Sequence, residues 1–291
     1  MKITTDIIHQ TFTEHKPALA FSGGGDSLVL LDIVYQLGYR PPLIFADSQM
    51  EYAENIAFVK DIANRYGLPL HIARHHETPR QVWQKHGFPM LGKQSAREWM
   101  QSHKGRDFGF KLDVSTCCRK LKIKPARDKT KAIGCNCQLT GQRGQADDRL
   151  RGMRCHLDGA VKYLKKDKLT VCNPLDGWTD SMIKRYTTNH SLPLNPLKKQ
   201  GCLTIGCRYC GGGAQFDNSG FRVLRHTDPE AWRTMIRDYG FGEIILAVKY
   251  DRPLDEIRAA IDRLGGIDTL MEERPFIFDF LRNKPLKGYQ R

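Results

Sequence analysis

The chain has 291 residues, with 46 Lys and Arg against 32 Asp and Glu, a formal charge of +14. Hydrophobic residues make up 40% and charged residues 27%, which fits one large α/β domain or a domain with an appended subdomain. No apolar run approaches the roughly 18 residues of a membrane span, and residues 1–6 lack an apolar signal core, so a cytoplasmic location without membrane contact is expected.

Ala18-Leu19-Ala20-Phe21 is an apolar run of strand length. The small-residue segment Ser22-Gly23-Gly24-Gly25-Asp26-Ser27 follows, then residues 28–37 read as a helix closed by Gly38. Residues 43–46 are the next strand, ending at Asp47. A helix is expected over 53–66, with Ile56, Val59, Lys60 and Ala63 at helical spacing, and residues 70–73 form a third strand. This β-α-β-α-β order predicts a doubly wound parallel sheet with helices on both faces. Residues 75–130 read as irregular and polar, 132–140 as another core strand, and 173–213 as a loop-built region in need of a staple. In the tail, Asp228-Pro229 opens a helix lined by Trp232, Met235, Ile236 and Tyr239. A second runs from Leu254 to Leu264, with Ile257 and Ile261 on the same face. The expected organisation is a nucleotide-binding domain with a cysteine-rich region over 1–213 and a small helical extension over 214–291.

A glycine-rich turn between a strand and a helix suits a phosphate group. Glycine lets backbone N–H groups approach the anion, and the helix N-terminus adds further N–H groups and its dipole. Ser22 and Ser27 supply hydroxyl donors, while Asp26 orients the loop or holds a magnesium ion. The excess positive charge favours a polyanionic partner such as tRNA or DNA, although a nucleotide substrate or a merely solvated surface also accounts for it.

Nine cysteines form an odd set, unsuited to a complete disulfide framework. Cys117-Cys118 and Cys207-Arg208-Tyr209-Cys210 bring four sulfurs from two distant segments. Adjacent cysteines diverge too much for an easy four-coordinate zinc site, whereas a larger cluster accepts sulfurs on different irons. Structural zinc and buried thiols remain the alternatives. Cys135 and Cys137, two apart, are expected on one face of a strand as core residues. Roles for Cys155 and Cys172 stay open, and Cys202, close before Cys207, is a candidate sulfur-handling nucleophile.

The Ser22–Ser27 loop resembles the PP-loop of the phosphoadenosine-phosphosulfate-reductase family, in which no Walker-type lysine follows. Other segments resemble that family too: Asp47-Ser48 at a strand end, Gly141-Gln142-Arg143 with Arg149, and Asn173-Pro174-Leu175 with Trp178-Thr179 and Leu192 to Leu197. Asp147-Asp148 stands where relatives carry Glu-Ser. The resemblance covers about residues 17–213. It implies an adenine nucleotide, ATP or adenylyl sulfate, bound by Ser22 to Ser27, Asp47, Gly141, Arg143 and Arg149. It also implies the family's iron–sulfur branch, with a 4Fe-4S cluster on Cys117, Cys118, Cys207 and Cys210. Members usually take sulfur on a cysteine near the C-terminus, and this sequence has none after Cys210. Sulfur transfer to a nucleic acid through adenylation, served by a cysteine desulfurase or thiol reductant, is therefore set first. Reduction of adenylyl sulfate or its 3′-phosphate is second, and a zinc-stapled, non-catalytic nucleic-acid-binding protein third.

Overall fold

The computed structural model describes residues 2–144, 160–199, 205–212 and 220–279. Asp147, Asp148, Arg149, Cys155 and Cys202 lie outside the described residues. The chain divides into two compact units, Met1–His75 with Leu121–Gly206, and His76–Lys120 with Cys207–Arg291. Residues 76–120 thus group with the C-terminal helices, a division unlike a boundary at 213.

The first unit holds a six-stranded sheet. Its strands are β1 (Pro17–Ala20), β2 (Leu43–Asp47), β3 (Leu70–Arg74), β4 (Cys137–Leu139), β5 (Val161–Leu164) and β6 (Leu169–Cys172). The spatial order is β3-β2-β1-β4-β6-β5. Every neighbouring pair is parallel except β5–β6, an antiparallel hairpin. Strand order reverses at β1, which sends the chain to β2 on one side and receives β4 on the other. The expected doubly wound α/β architecture is therefore present, with one antiparallel edge strand that no sequence signal announced.

Alternation along the strands sorts side chains onto two faces. Leu19, Leu43, Phe45, Cys137, Leu139 and Cys172 join one large apolar cluster with Leu28, Val29, Ile33, Val59 and Ile62. These last five come from α2 (Gly25–Gln36) and α3 (Ala53–Arg65). Ala18, Ile44 and Ala73 point the other way, toward Ala126 of α7 (Lys124–Ala132). Cys135 packs in that second cluster and Cys137 in the first, so the expectation that they share a face is corrected: the strand begins only at Cys137, and Cys135 precedes it. The buried side of α3 also differs from expectation. It carries Asn55, Phe58, Val59, Ile62 and Ala63, while Lys60 is exposed and Ile56 only partly buried. Asp32, buried in the middle of α2, accepts hydrogen bonds from Tyr66 Oη and Tyr186 Oη, both at 2.8 Å. It thereby ties α2 to the end of α3 and to α8 (Asp180–Asn189).

The second unit is helical where the sequence reads as irregular. It contains α4 (Pro79–His86), α5 (Lys93–Ser102) and α6 (Val114–Cys118), and a π-helical turn, Arg119–Ile123, leads on from α6 to α7. The start of α4 carries a legible signal: Thr78 caps the backbone of Gln81 and Gln81 returns the bond, with Pro79 at the first position. Residues 173–213 likewise hold α8 and α9 (Pro196–Lys199) rather than loop alone. The tail forms α10 (Gly220–Thr227), α11 (Pro229–Arg237), α12 (Phe241–Tyr250), α13 (Leu254–Arg263) and α14 (Ile267–Glu273). Trp232, Met235 and Ile236 of α11 and Leu254, Ile257 and Ile261 of α13 are buried as their periodicity predicts, but Leu264 is 48% exposed. No helix among the described residues is long and apolar enough to cross a membrane.

Candidate functional site

Open α/β sheets bind ligands beyond the carboxyl ends of the strands where strand order reverses. Here that point lies between β1 and β4, and the segments leaving both strands meet there. Ser22–Ser27 follows β1, while Gly141-Gln142-Arg143 follows β4. A Cβ on Gly141 would stand 2.8 Å from both Asp26 C and Ser27 N, so only glycine allows the two backbones to touch.

The loop is held from inside. Ser27 Oγ donates to Gly24 O at 2.9 Å, lies 3.2 Å from Ser22 Oγ and accepts from Ser22 N at 3.3 Å. Gly23 has φ +78°. Two buried amides lie beneath it. Asn55 Nδ2 donates to Ser22 O at 3.2 Å, and Asn195 Nδ2 donates to Gly23 O at 3.1 Å and to Asn55 Oδ1 at 2.9 Å. The N-cap of α2 is Gly24, and no side chain caps this helix. Its first-turn N–H groups at Gly25, Asp26 and Ser27 are therefore left for an anion.

Arg143 is buried at 7% exposure and bound on three sides. Nη1 donates to Trp178 O at 3.1 Å, Nη2 to Asp180 Oδ1, and Nε lies 3.1 Å from Asp26 Oδ2. Burial would lower its pKa, but Asp180 and Asp26 outweigh it and raise the guanidinium above its ordinary value, so the charge is permanent. Asp47 ends β2 beside the loop strand. Its Oδ1 accepts from Gln49 N at 2.7 Å and its Oδ2 from Arg74 Nε at 3.0 Å, so both oxygens are engaged. Arg149 and Cys202, outside the described residues, have no position relative to this loop.

Cys117, Cys118, Cys207 and Cys210 all belong to the second unit. Cys117 and Cys118 end α6. Cys117 is buried and accepts a 3.2 Å bond from Trp83 Nε1, whereas Cys118 and Cys210 are exposed. Burial pushes the Cys117 thiol up, the Trp83 bond opposes this, and charge on Cys118, Cys207 and Cys210 would raise it further, which makes the four sulfurs electrostatic neighbours. The loop bearing Cys207 and Cys210 is anchored by Arg208 Nε donating to Asp228 Oδ2 at 2.7 Å and by Tyr209 against Tyr239 at 5.3 Å between centroids. At Gly211 a Cβ would fall 2.1 Å from Phe241 Cε1, and at Gly212 it would lie 3.5 Å from Cys210 Sγ. Among the described residues, the one group of three or more His, Cys, Asp or Glu ligand atoms within 4.8 Å of one another does not include these sulfurs. A four-coordinate zinc with bonds of ~2.3 Å needs sulfurs under ~4 Å apart, and no three of these sulfurs stand within 4.8 Å of one another.

Sequence reasoning overlooked three contributors. Asn55 sits on a helix stripe that reads as core, Asp180 resembles an ordinary first-turn acid, and Trp83 has no local mark. The only available signal was a polar residue interrupting an apolar stripe, at Asn55.

The chain is similar to known proteins. The family model for the phosphoadenosine phosphosulfate reductase domain matches residues 16–212. The phosphoadenosine 5′-phosphosulfate reductase of Alkalilimnicola ehrlichii is 28% identical over 189 residues, 65% of this chain and 67% of that protein. The adenosine 5′-phosphosulfate reductase of Lysinibacillus sphaericus is 26% identical over 213 residues, 70% of this chain and 78% of that one. Among solved structures, the phosphoadenylyl-sulfate reductase of Candida auris in its phosphate complex aligns with TM-score 0.49 at 21% identity, covering 70% of this chain and 87% of that chain.

Proposed function

The chain belongs to the phosphoadenosine phosphosulfate reductase domain family, and from that premise we propose that it binds an adenine nucleotide on the Ser22–Ser27 loop and transfers sulfur to a nucleic acid, tRNA or DNA, by way of adenylation. The observation that carries this reading is the junction of β1 and β4: an uncapped helix N-terminus, a loop tied from inside, and Gly141 pressed against it.

In this reaction an acceptor oxygen attacks the α-phosphorus of ATP, the bond to the pyrophosphate oxygen breaks, and pyrophosphate leaves. The N–H groups of Gly25, Asp26 and Ser27 hold phosphate oxygens and stabilise the charge that builds on them. Ser22 and Ser27 exchange their mutual contact for phosphate oxygens. Arg143 supplies a fixed positive charge. Asp26, with its side chain 39% exposed, can share a magnesium ion with the phosphates, since such ions need only one or two protein carboxylates. Asp47 and Arg149 complete the nucleotide contacts. A cysteine desulfurase would load Cys202 as a persulfide, whose outer sulfur attacks the adenylated centre and displaces AMP. A thiol reductant then cleaves the resulting disulfide, which leaves the sulfur on the acceptor and Cys202 as a free thiol.

Cys117, Cys118, Cys207 and Cys210 would hold a 4Fe-4S cluster. The all-sulfur donor set and its open spacing support this assignment over zinc. When bound, the cluster supplies a thiophilic metal centre and a path for electrons. Anaerobically purified protein is expected to be brown, with about four irons per chain, and Cys118→Ala to bleach it. A colourless protein with stoichiometric zinc would refute the assignment.

Reduction of adenylyl sulfate or its 3′-phosphate is the second reading, favoured by the names of the curated relatives. The two are separated by product. Nucleic-acid-dependent pyrophosphate release from ATP supports the first, and sulfite release from adenylyl sulfate supports the second.

A further inference from the structure

Trp83 lies on α4 with only 1% of its surface exposed, and among the described residues its indole N–H has one hydrogen-bond partner, Cys117 Sγ at 3.2 Å. A buried indole N–H ordinarily finds an oxygen. A neutral thiol is a weak acceptor, whereas a thiolate sulfur bound to a metal carries charge and accepts strongly. The pairing is therefore poor for a bare thiol and well suited to a sulfur that ligates iron.

Donor and acceptor are both held in place. The Trp83 ring meets Phe241 edge-on at 5.0 Å between centroids, Tyr239 at 5.3 Å and Phe88 at 6.2 Å, so it has little room to turn toward another acceptor. The capping box of Thr78 and Gln81 fixes the start of α4. Cys117 belongs to α6, whose N-cap Asp113 accepts from Ser115 N at 2.8 Å and Thr116 N at 3.1 Å. Cys118 and Cys210 are exposed, so the sulfur that the indole reaches is the buried one. Water is shut out there by the rings, and the N–H is what takes its place.

We propose that Trp83 is a positioning residue for the iron–sulfur cluster, its N–H holding the Cys117 sulfur and making the reduced cluster easier to reach. The inference rests on the assignment of a 4Fe-4S cluster to Cys117, Cys118, Cys207 and Cys210. One electron from a low-potential reductant such as dithionite adds one negative charge, spread over the irons and sulfurs. A donor aimed at a ligand sulfur gains strength as that charge grows, so it stabilises the reduced form more than the oxidised one. The dry aromatic shell acts in the opposite direction, because a low dielectric opposes added charge. Removing the donor while keeping the shell must therefore lower the potential. A change of about tenfold in the reduction equilibrium corresponds to ~59 mV for a one-electron couple.

The test is the midpoint potential of the anaerobically purified full chain, titrated with dithionite and followed by visible absorption and by the EPR signal of the reduced cluster. Trp83→Phe keeps an aromatic ring and removes the donor. Its reduction equilibrium should fall about tenfold, a shift of ~59 mV to lower potential, with the EPR signal altered and the iron content retained. Benzothienylalanine in place of Trp83 keeps the bicyclic shape and exchanges only the N–H for sulfur, so it should give the same fall even where Trp83→Phe loosens the packing. Phe88→Leu disturbs the same aromatic shell with the donor intact and should leave the potential in place. An unchanged or raised potential in both donor-less variants, an equal fall in Phe88→Leu, or loss of the cluster from both donor-less variants would overturn the proposal, the last by making Trp83 a purely structural residue. A parent chain without four irons refutes the cluster assignment, and the proposal with it. A parent chain that is brown and titrates like its donor-less variants refutes the role of Trp83 alone.

Discussion

Gly23→Ala probes the loop most directly. At φ +78° an alanine costs ~1–2 kcal/mol in backbone conformation alone. Its Cβ would stand 2.2 Å from Asn55 Oδ1 and 3.0 Å from Val59 Cγ2, both buried and backed by the core of α3. Asn55 must therefore swing away, which breaks its bonds to Ser22 O and Asn195 Nδ2 and strands a buried amide, for a further ~1–3 kcal/mol. The sum is about 2–5 kcal/mol, and at ~2–4 °C per kcal/mol for a unit of this size the thermal midpoint should fall on the order of 10 °C. Gly25→Ala is the matched control. Nothing lies within 4 Å of its Cβ and its φ is ordinary, so its midpoint should stay within about a degree of the parent. Differential scanning fluorimetry checks both, with calorimetric titration of ATP and adenylyl sulfate on the same samples. Equal midpoints for the two variants would refute the claim that the loop is clasped from below by Asn55 and Asn195.

Other positions give sharp outcomes. Arg143→Lys keeps the charge but loses the planar fork that spans Asp26, Asp180 and Trp178 O, so nucleotide affinity should fall about tenfold; unchanged affinity would remove Arg143 from the site. Gly211→Ala would drive a methyl into Phe241, whose ring is fixed against Trp83 at 5.0 Å, and should displace Cys210 and strip most of the iron; full iron content would contradict it. Burial pushes the Cys137 thiol up to about 12 and Cys172 to about 11. Unfolded thiols ionise near ~8.5, so the folded state keeps protons that the unfolded state loses, and stability is full below that pH and declines as pH rises toward the folded values. Unfolding free energies from urea titration should drop between pH 8 and pH 10, by up to ~1.4 kcal/mol per pH unit for each thiol; a flat profile would argue that these sulfurs are more solvated than the structure implies.

The sequence by itself determined the sheet's first half and the glycine-rich loop that leaves it. Short apolar runs, their glycine stops and the Ser22–Ser27 turn are local signals, and local sterics suffice to read them. It also marked the tail helices, because Trp232, Met235 and Ile236 repeat at helical spacing. It could not reveal the β5–β6 hairpin, since Val161 and Tyr163 face solvent and leave no alternating pattern. Nor could it reveal α12, which is buried on most of its surface and so has little amphipathic contrast. The tertiary structure alone decided which distant groups meet. Gly141 reaches Asp26, Asn195 reaches Gly23, and Asp167 reaches α7 because a parallel sheet brings together segments separated by a crossover. Sequence states which residues are fit for phosphate or sulfur, but only the packed chain sets the partners that hold them in place.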